Sequence, residues 1–232
     1  MSIFSICTSF VAQGQLGETL SALAAAEGEF TADKGVRFRK FVQCTIQPHV
    51  IWTATEWESE GHHNDAAQSI MKTRRDDRIA SIQFGPEPYF EIFCNEEIGL
   101  RVGQYSDEWR YIVVAHGLIG AKARQQYARL RSDRVARVAG RIPWLRIYHN
   151  RYNADDFVAL LGFRNEDAFG SLRDIEGLRL EEYLFTGLRT PLGMSYLANY
   201  NQFVCAPLTL ATQHPAGESP GGSDTESAGR GC

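Results

Sequence analysis

The sequence predicts an α+β protein in which one order of elements, β-α-β-β-α-β, runs twice along a single chain as two ferredoxin-like repeats. Three observations carry this expectation. Apolar, β-prone runs alternate with helical stripes in the same order in both halves. Turn signals fall at matching places, Gln47-Pro48 in the first half and Asn153-Ala154-Asp155 in the second. Each half ends its third strand in an aromatic followed by a residue able to cap a helix, "TEWESE" against "LGFRNED".

In the first half, Ile3 to Val11 reads as a strand. It lacks the basic start and long core of a signal peptide. Leu16, Leu20 and Leu23 then form the stripe of a helix laid on a sheet. "RFRKFVQCTI" and "HVIWTATEW" are two strands, and a helix capped by Ser59 follows, with Ala66, Ala67, Ile70 and Met71 inward. "PYFEIFCNE" is the fourth strand.

The second half opens with "WRYIVVAHG" and a helix through Ala123, Tyr127 and Leu130. "WLRIYHNRY" and "DFVALLGFRNE" are its middle strands. A helix over Asp167 to Ile175, with Phe169 and Leu172 inward, precedes "RLEEYLFTG" as the last strand. The expected units are 1–100, 108–190, an extension over 191–212 and a disordered tail over 213–232, where Gly, Ser, Pro and acids leave too little apolar surface to offset ordering entropy.

Composition narrows the function. Of 232 residues, 44% are hydrophobic, 22% charged and 11% aromatic, and the formal charge is −4 at pH 7. That balance fits a globular protein and argues against nucleic acid as the main partner, which needs a field of Lys and Arg. The arginine-rich helix "KARQQYARLRSDRVARVAGR" and the mixed-sign run "TRRDDR" read as solvated surface. Five scattered cysteines lack zinc spacing and suit free thiols in a reducing cytoplasm, and no stretch approaches a membrane span.

A four-stranded sheet with both helices on one face leaves the other face bare, and two such sheets solve this by packing against each other around an enclosed space. Strand faces therefore decide what lines that space. On "WLRIYHNRY" the faces are Trp144, Arg146, Tyr148, Asn150 and Leu145, Ile147, His149, Arg151, and the sequence leaves open which points inward. On "VIWTATEW" the face of Ile51, Thr53, Thr55 and Trp57 resembles a cavity wall, since it mixes hydroxyls with a terminal ring. Trp52 and Trp144 read as packing residues.

The run "VIWTATEWESEGHH", with Trp57-Glu58-Ser59-Glu60 at the end of the third strand, resembles the antibiotic biosynthesis monooxygenase family of dimeric α/β barrel proteins. That resemblance implies an intrachain barrel of two fused repeats. It also implies a small enzyme that oxidises an electron-rich aromatic, such as an anthrone or hydroquinone, with O2 and without flavin, haem or metal. It places Trp57 in the substrate pocket. His63 stands where an aromatic often follows in the family, and Phe163 stands in the second half where Trp57 stands in the first.

Such chemistry needs a base and donors for the resulting anion. His63, His116 and His149 are the candidate bases, with His62 a weaker one. Thr53, Thr55, Trp57, Tyr148 and Arg146 are candidate substrate contacts, and Arg146 or Arg151 would hold an oxyanion. The expected partners are a small aromatic and O2, with a homodimer as a further assembly. Two other classes fit the same scaffold. One is a polyketide cyclase or aromatase. The other is a haem-binding or haem-degrading relative, with His63, His116 or His149 as axial ligand.

Overall fold

The computed structural model describes residues 3–12, 14–74, 89–120, 122–150, 152–172, 175–208 and 210, with the backbone alone at 26, 29, 70–74 and 89–99. The expected tail over 213–232, Arg151, most of "TRRDDR" and the inward placement of Ile70 and Met71 lie outside what is described.

Eight strands form the frame: β1 (Ile3–Phe10), β2 (Val36–Cys44), β3 (Val50–Trp57), β4 (Tyr89–Val102), β5 (Tyr111–Ile119), β6 (Trp144–Asn150), β7 (Asp156–Phe163) and β8 (Leu197–Leu208). They close into a barrel in the order β1-β3-β2-β8-β5-β7-β6-β4. Every paired neighbour is antiparallel. Within that circle lie two four-stranded sheets of equivalent order, β4-β1-β3-β2 and β8-β5-β7-β6, so each half is ferredoxin-like as its element order predicts. One seam joins β2 to β8, where Cys44 faces Cys205, and the other joins β4 to β6, where Asn95 faces His149. Both seam cysteines are buried free thiols, and burial pushes the Cys205 thiol far up. Closure pairs each of these strands on both sides, so none of them is left as an edge.

The helices cover the outside. Helix α1 (Leu16–Ala26) lays Leu16, Leu20 and Leu23 on Val11, Phe41 and Ile51, the stripe its spacing predicts. Helix α2 (Glu60–Arg74) starts at Ser59, whose Oγ accepts from the His62 backbone N–H at 3.4 Å, and seats Ala66 against Ile3 and Trp57. Helix α3 (Arg124–Val138) buries Tyr127, Arg131, Val135 and Val138 on the second half.

Three sequence expectations need correction. Leu130 is not inward but 38% exposed, and Arg131, expected on a solvated face, is 1% exposed. Tyr127, Arg131, Val135 and Val138 recur at spacings of four, four and three, so the stripe runs through an arginine that a hydrophobic pattern does not count. The helix expected over Asp167 to Ile175 is the short α4 (Glu166–Gly170), capped by Asn165, whose Oδ1 accepts from Ala168 N at 2.8 Å. "RLEEYLFTG" is not a strand. Glu182–Thr186 is a π-helical turn that buries Tyr183, Leu184 and Phe185 together, whereas a strand would alternate them. The closing strand β8 comes instead from the segment expected as an extension.

Candidate functional site: the barrel interior

The alternation of each strand decides which side chains meet inside. Phe4 and Ile6 of β1, Val42 and Cys44 of β2, and Val50, Trp52 and Ala54 of β3 converge on Ile112 and Val114, Trp144 and Tyr148, Val158 and Leu160, and Cys205. The interior is thus aromatic and aliphatic, and much of it is filled by side chains. Phe4 and Tyr148 stack at 3.7 Å between centroids and 8° between planes.

Beside this plug lies a narrow apolar cleft, part of it open to solvent, with enclosed room for about one water molecule. Trp52, Trp144 and Tyr105 line it with Ile6, Val42, Ala54, Ile112 and Leu160, and Lys40 stands at its rim. Tyr105 belongs to the segment joining the two halves. Its ring makes edge contacts with Phe38 at 5.1 Å and with Trp144 at 5.3 Å. Burial pushes its phenol up, so it stays protonated. Lys40 Nζ lies 2.6 Å from Asp107 Oδ1 of the same segment and 5.1 Å from the Tyr105 ring centre. The segment is fixed where it leaves β4: Arg146 Nη2 donates to Gly103 O at 2.9 Å and its Nη1 to Val102 O at 3.0 Å. Gly103 has φ +63°, and an added Cβ would meet the Pro143 carbonyl.

The indole nitrogens are the anomaly. Nε1 of Trp52, of Trp144 and of the neighbouring Trp109 is buried with no hydrogen-bond acceptor among the described residues. Gly162 makes the space for two of these rings, since a Cβ there would lie 2.8 Å from Trp109 Cδ1 and 2.9 Å from Trp144 Cε3. Gly162→Ala is expected to lower stability by about 1–3 kcal/mol through overpacking. Denaturant unfolding monitored by tryptophan fluorescence checks it.

The candidates named from sequence divide between layers. Thr55 and Trp57 do not line the interior. Arg39 Nη1 donates to Thr55 Oγ1 at 2.7 Å on the helix side. Trp57 Nε1 donates to Ser5 Oγ at 3.2 Å, and the ring lies under α2. The threonine face is therefore the helix-facing one, and the tryptophan face is the inner one. Thr53 borders the cleft, although the alternation gives it the helix-facing position. His63 packs edge-on to Trp57 at 5.4 Å in the same outer layer.

His149 also faces the helices. Its Nδ1 lies 3.0 Å from Ala154 O and its Nε2 2.7 Å from Arg131 Nη2, so the ring donates through Nδ1 and accepts through Nε2. Burial, reinforced by the Arg131 charge, pushes its pKa down to about 4 and keeps it neutral. Tyr148 is inward, in the stack with Phe4. Arg146 spends donors on backbone carbonyls rather than presenting them to a ligand.

His116 shares a hydrogen-bond network with two inner-face residues. Its Nε2 is 2.7 Å from Asp156 Oδ1, and Asn150 Nδ2 donates to Asp156 Oδ2 at 2.9 Å. It lies four residues along β5 from Ile112, roughly 13 Å from the cleft. The sequence reading missed Lys40, Tyr105 and Trp109, and it treated Trp52 and Trp144 as packing. The available signal was the inner face of β2, where Lys40 interrupts Phe38, Val42 and Cys44. Among the described residues no group of three His, Cys, Asp or Glu could hold a metal ion. No helix among them is long and apolar enough to cross a membrane.

Comparison with known proteins gives a fold. No family model matches, and no curated protein matches by sequence. Solved structures do match. A provisionally named monooxygenase from Fusobacterium nucleatum superposes with a TM-score of 0.69 at 9% identity, over 90% of this chain and 93% of that one. An anthrone oxidase-like protein gives 0.59 at 8% identity, over 90% and 92%. Chlorite dismutase from Candidatus Nitrospira defluvii gives 0.60 at 9% identity, over 90% and 92%. At these identities the likeness is one of architecture, the dimeric α/β barrel.

Proposed function

We propose that the chain is a fused-repeat relative of the antibiotic biosynthesis monooxygenases that oxidises a small aromatic with O2 in the barrel cleft. The observation that carries this is a ring-lined cleft of a closed barrel with a cation, Lys40, at its rim. Flat electron-rich substrates of this class react with O2 once ionised. The ammonium favours the ionised form, and the apolar walls keep bulk water from the anion. For a substrate methylene beside such a ring, the balance is simple. One oxygen atom becomes the new carbonyl oxygen, and the other leaves as water with the two hydrogens. The same walls would suit a hydroquinone. O2 and the aromatic are the partners, and free thiols suit a cytoplasmic setting. The described residues carry no observation that favours a homodimer over a monomer.

The haem alternative is less well supported. His149 has both ring nitrogens engaged, by the Ala154 carbonyl and the Arg131 guanidinium, and so offers no lone pair to an iron. His63 sits between α2 and the sheet against Trp57.

Oxygen uptake with an anthrone or hydroquinone tests the proposal. Lys40→Met is expected to reduce kcat/KM about tenfold to a hundredfold through loss of charge stabilisation, with folding intact because the side chain is half-exposed. Absence of uptake with any such substrate, or full activity in Lys40→Met, would overturn it.

A further inference from the structure

We infer that Cys44 and Cys205 form an oxidative modification site, a thiol pair that a hydroperoxide converts to a disulfide across the seam between β2 and β8. This stands independently of the proposed function, because it concerns how the two halves are joined rather than what the cleft binds.

Position carries the inference. Cys44 and Cys205 are direct partners in the antiparallel pairing of β2 with β8. One residue on, Thr45 N donates to Val204 O at 2.9 Å, which makes Thr45 and Val204 a hydrogen-bonded pair. The two kinds of pair alternate along an antiparallel ladder, so Cys44 and Cys205 are a non-hydrogen-bonded pair. Pro207 stands opposite Val42 in the same phase, where its missing N–H costs the seam nothing. Residues paired in this way have Cα atoms about 4.5 Å apart, inside the range of about 4.4–6.8 Å that a disulfide spans. Both side chains pack in the one inner cluster of the barrel, so the two sulfurs share a face of the sheet. Both are free thiols.

The two thiols are not equivalent. Cys205 is wholly buried between β2 and β5, and burial keeps its thiol protonated. Cys44 ends β2 beside the exposed turn 45–49, and Gln47 N donates to its Sγ at 3.4 Å, so a donor faces the sulfur that carries negative charge as it attacks. Cys44 therefore reacts first. With hydrogen peroxide its sulfur bonds to one oxygen, the O–O bond breaks, and a sulfenic acid and one water form. The Cys205 sulfur then bonds to the sulfenic sulfur, and the departing hydroxide takes the Cys205 proton as a second water. Two thiols have lost two electrons, and one peroxide has been reduced. The link joins residues far apart in sequence, one from each half, so it closes a long loop of the unfolded chain and favours the folded one.

Hydrogen peroxide treatment of the full chain, purified under dithiothreitol and then freed of it, tests this. After the remaining thiols are alkylated and the protein is digested, the expected product is a peptide pair linked through Cys44 and Cys205, lighter by two hydrogens than the two reduced peptides. The oxidised chain should melt roughly 5–15 °C higher than the reduced one, and dithiothreitol should reverse both changes. Cys44→Ser and Cys205→Ser should each abolish the link and the melting shift. Dimedone should label Cys44 in Cys205→Ser, since the sulfenic acid there has no thiol to resolve it. The wild-type link and its reversal are read without any variant, so a variant that fails to fold leaves the test intact. Oxidation of the folded chain that leaves Cys44 and Cys205 unlinked, as thiols or as sulfinic acid, overturns the inference. So does a link that forms only in denaturant, or dimedone labelling at Cys205 in Cys44→Ser with none at Cys44 in Cys205→Ser.

Discussion

Trp57→Ala is expected to lower stability by about 3–5 kcal/mol and the melting temperature by roughly 6–20 °C. The side chain is 2% exposed and packs among Ile3, Phe30, Val36 and Ala66, so its removal leaves a cavity between α2 and the sheet. It also deprives the buried Ser5 hydroxyl of its donor. Trp57→Phe keeps most of the packing and should lose much less. Because Trp57 lies on the outer face of β3, Trp57→Phe should bind a cleft ligand as the wild type does. Thermal melts and oxygen uptake with the anthrone or hydroquinone check both statements. A stable Trp57→Ala protein that had lost ligand binding would return this ring to the pocket where the sequence resemblance put it.

The second large effect concerns the guanidinium between α3 and the sheet. Arg131 lies over the rings of Tyr127 and Phe157, at 4.9 and 5.2 Å, and its Nε and Nη1 have no acceptor among the described residues. His149 supplies its hydrogen-bond acceptor. His149→Ala therefore leaves a buried cation without that acceptor and is expected to cost about 3–5 kcal/mol. Arg131→Met, a flexible apolar side chain of similar length, is expected to stay within about 1 kcal/mol of wild type or exceed it.

The same contact makes stability depend on pH. Between about 6.5 and about 4 the unfolded chain binds a proton on His149 that the folded chain refuses, so stability falls as pH falls through that window. The loss attributable to this group reaches about 3 kcal/mol below pH 4. Denaturant midpoints at pH 7 and pH 4.5 should differ less in His149→Gln than in the wild type, and equal slopes would sink this account.

Element order was readable because apolar period and turn chemistry are local, and most strands lie within a residue or two of their expected bounds. What failed was local as well. In "RLEEYLFTG" an unbroken apolar run at Tyr183, Leu184 and Phe185 suits a buried turn of helix as well as a strand, and only the competition with Leu197–Leu208 for the edge of β5 decides between them. The face of β3 was misjudged because Trp57 and two threonines look amphipathic, as a pocket wall does. Helix packing wants the same mixture when Arg39 and Ser5 are there to take the polar atoms. The site itself was least legible. Lys40 and Tyr105 are far apart in sequence, and they meet only because β2 and the segment after β4 arrive at the same end of the barrel.

Carrying both four-stranded sheets on one polypeptide has a consequence for stoichiometry. Two identical subunits related by a twofold axis must present two identical entrances, and any ligand site comes in pairs. In this chain the twofold is only approximate: the inner face carries the strapped aromatic cleft with Lys40 in one place, and the His116, Asp156 and Asn150 network about 13 Å along β5. Each location is free to diverge without damaging a copy of itself. Saturation is accordingly expected at one ligand per polypeptide, where a symmetric pair of separate halves would take two.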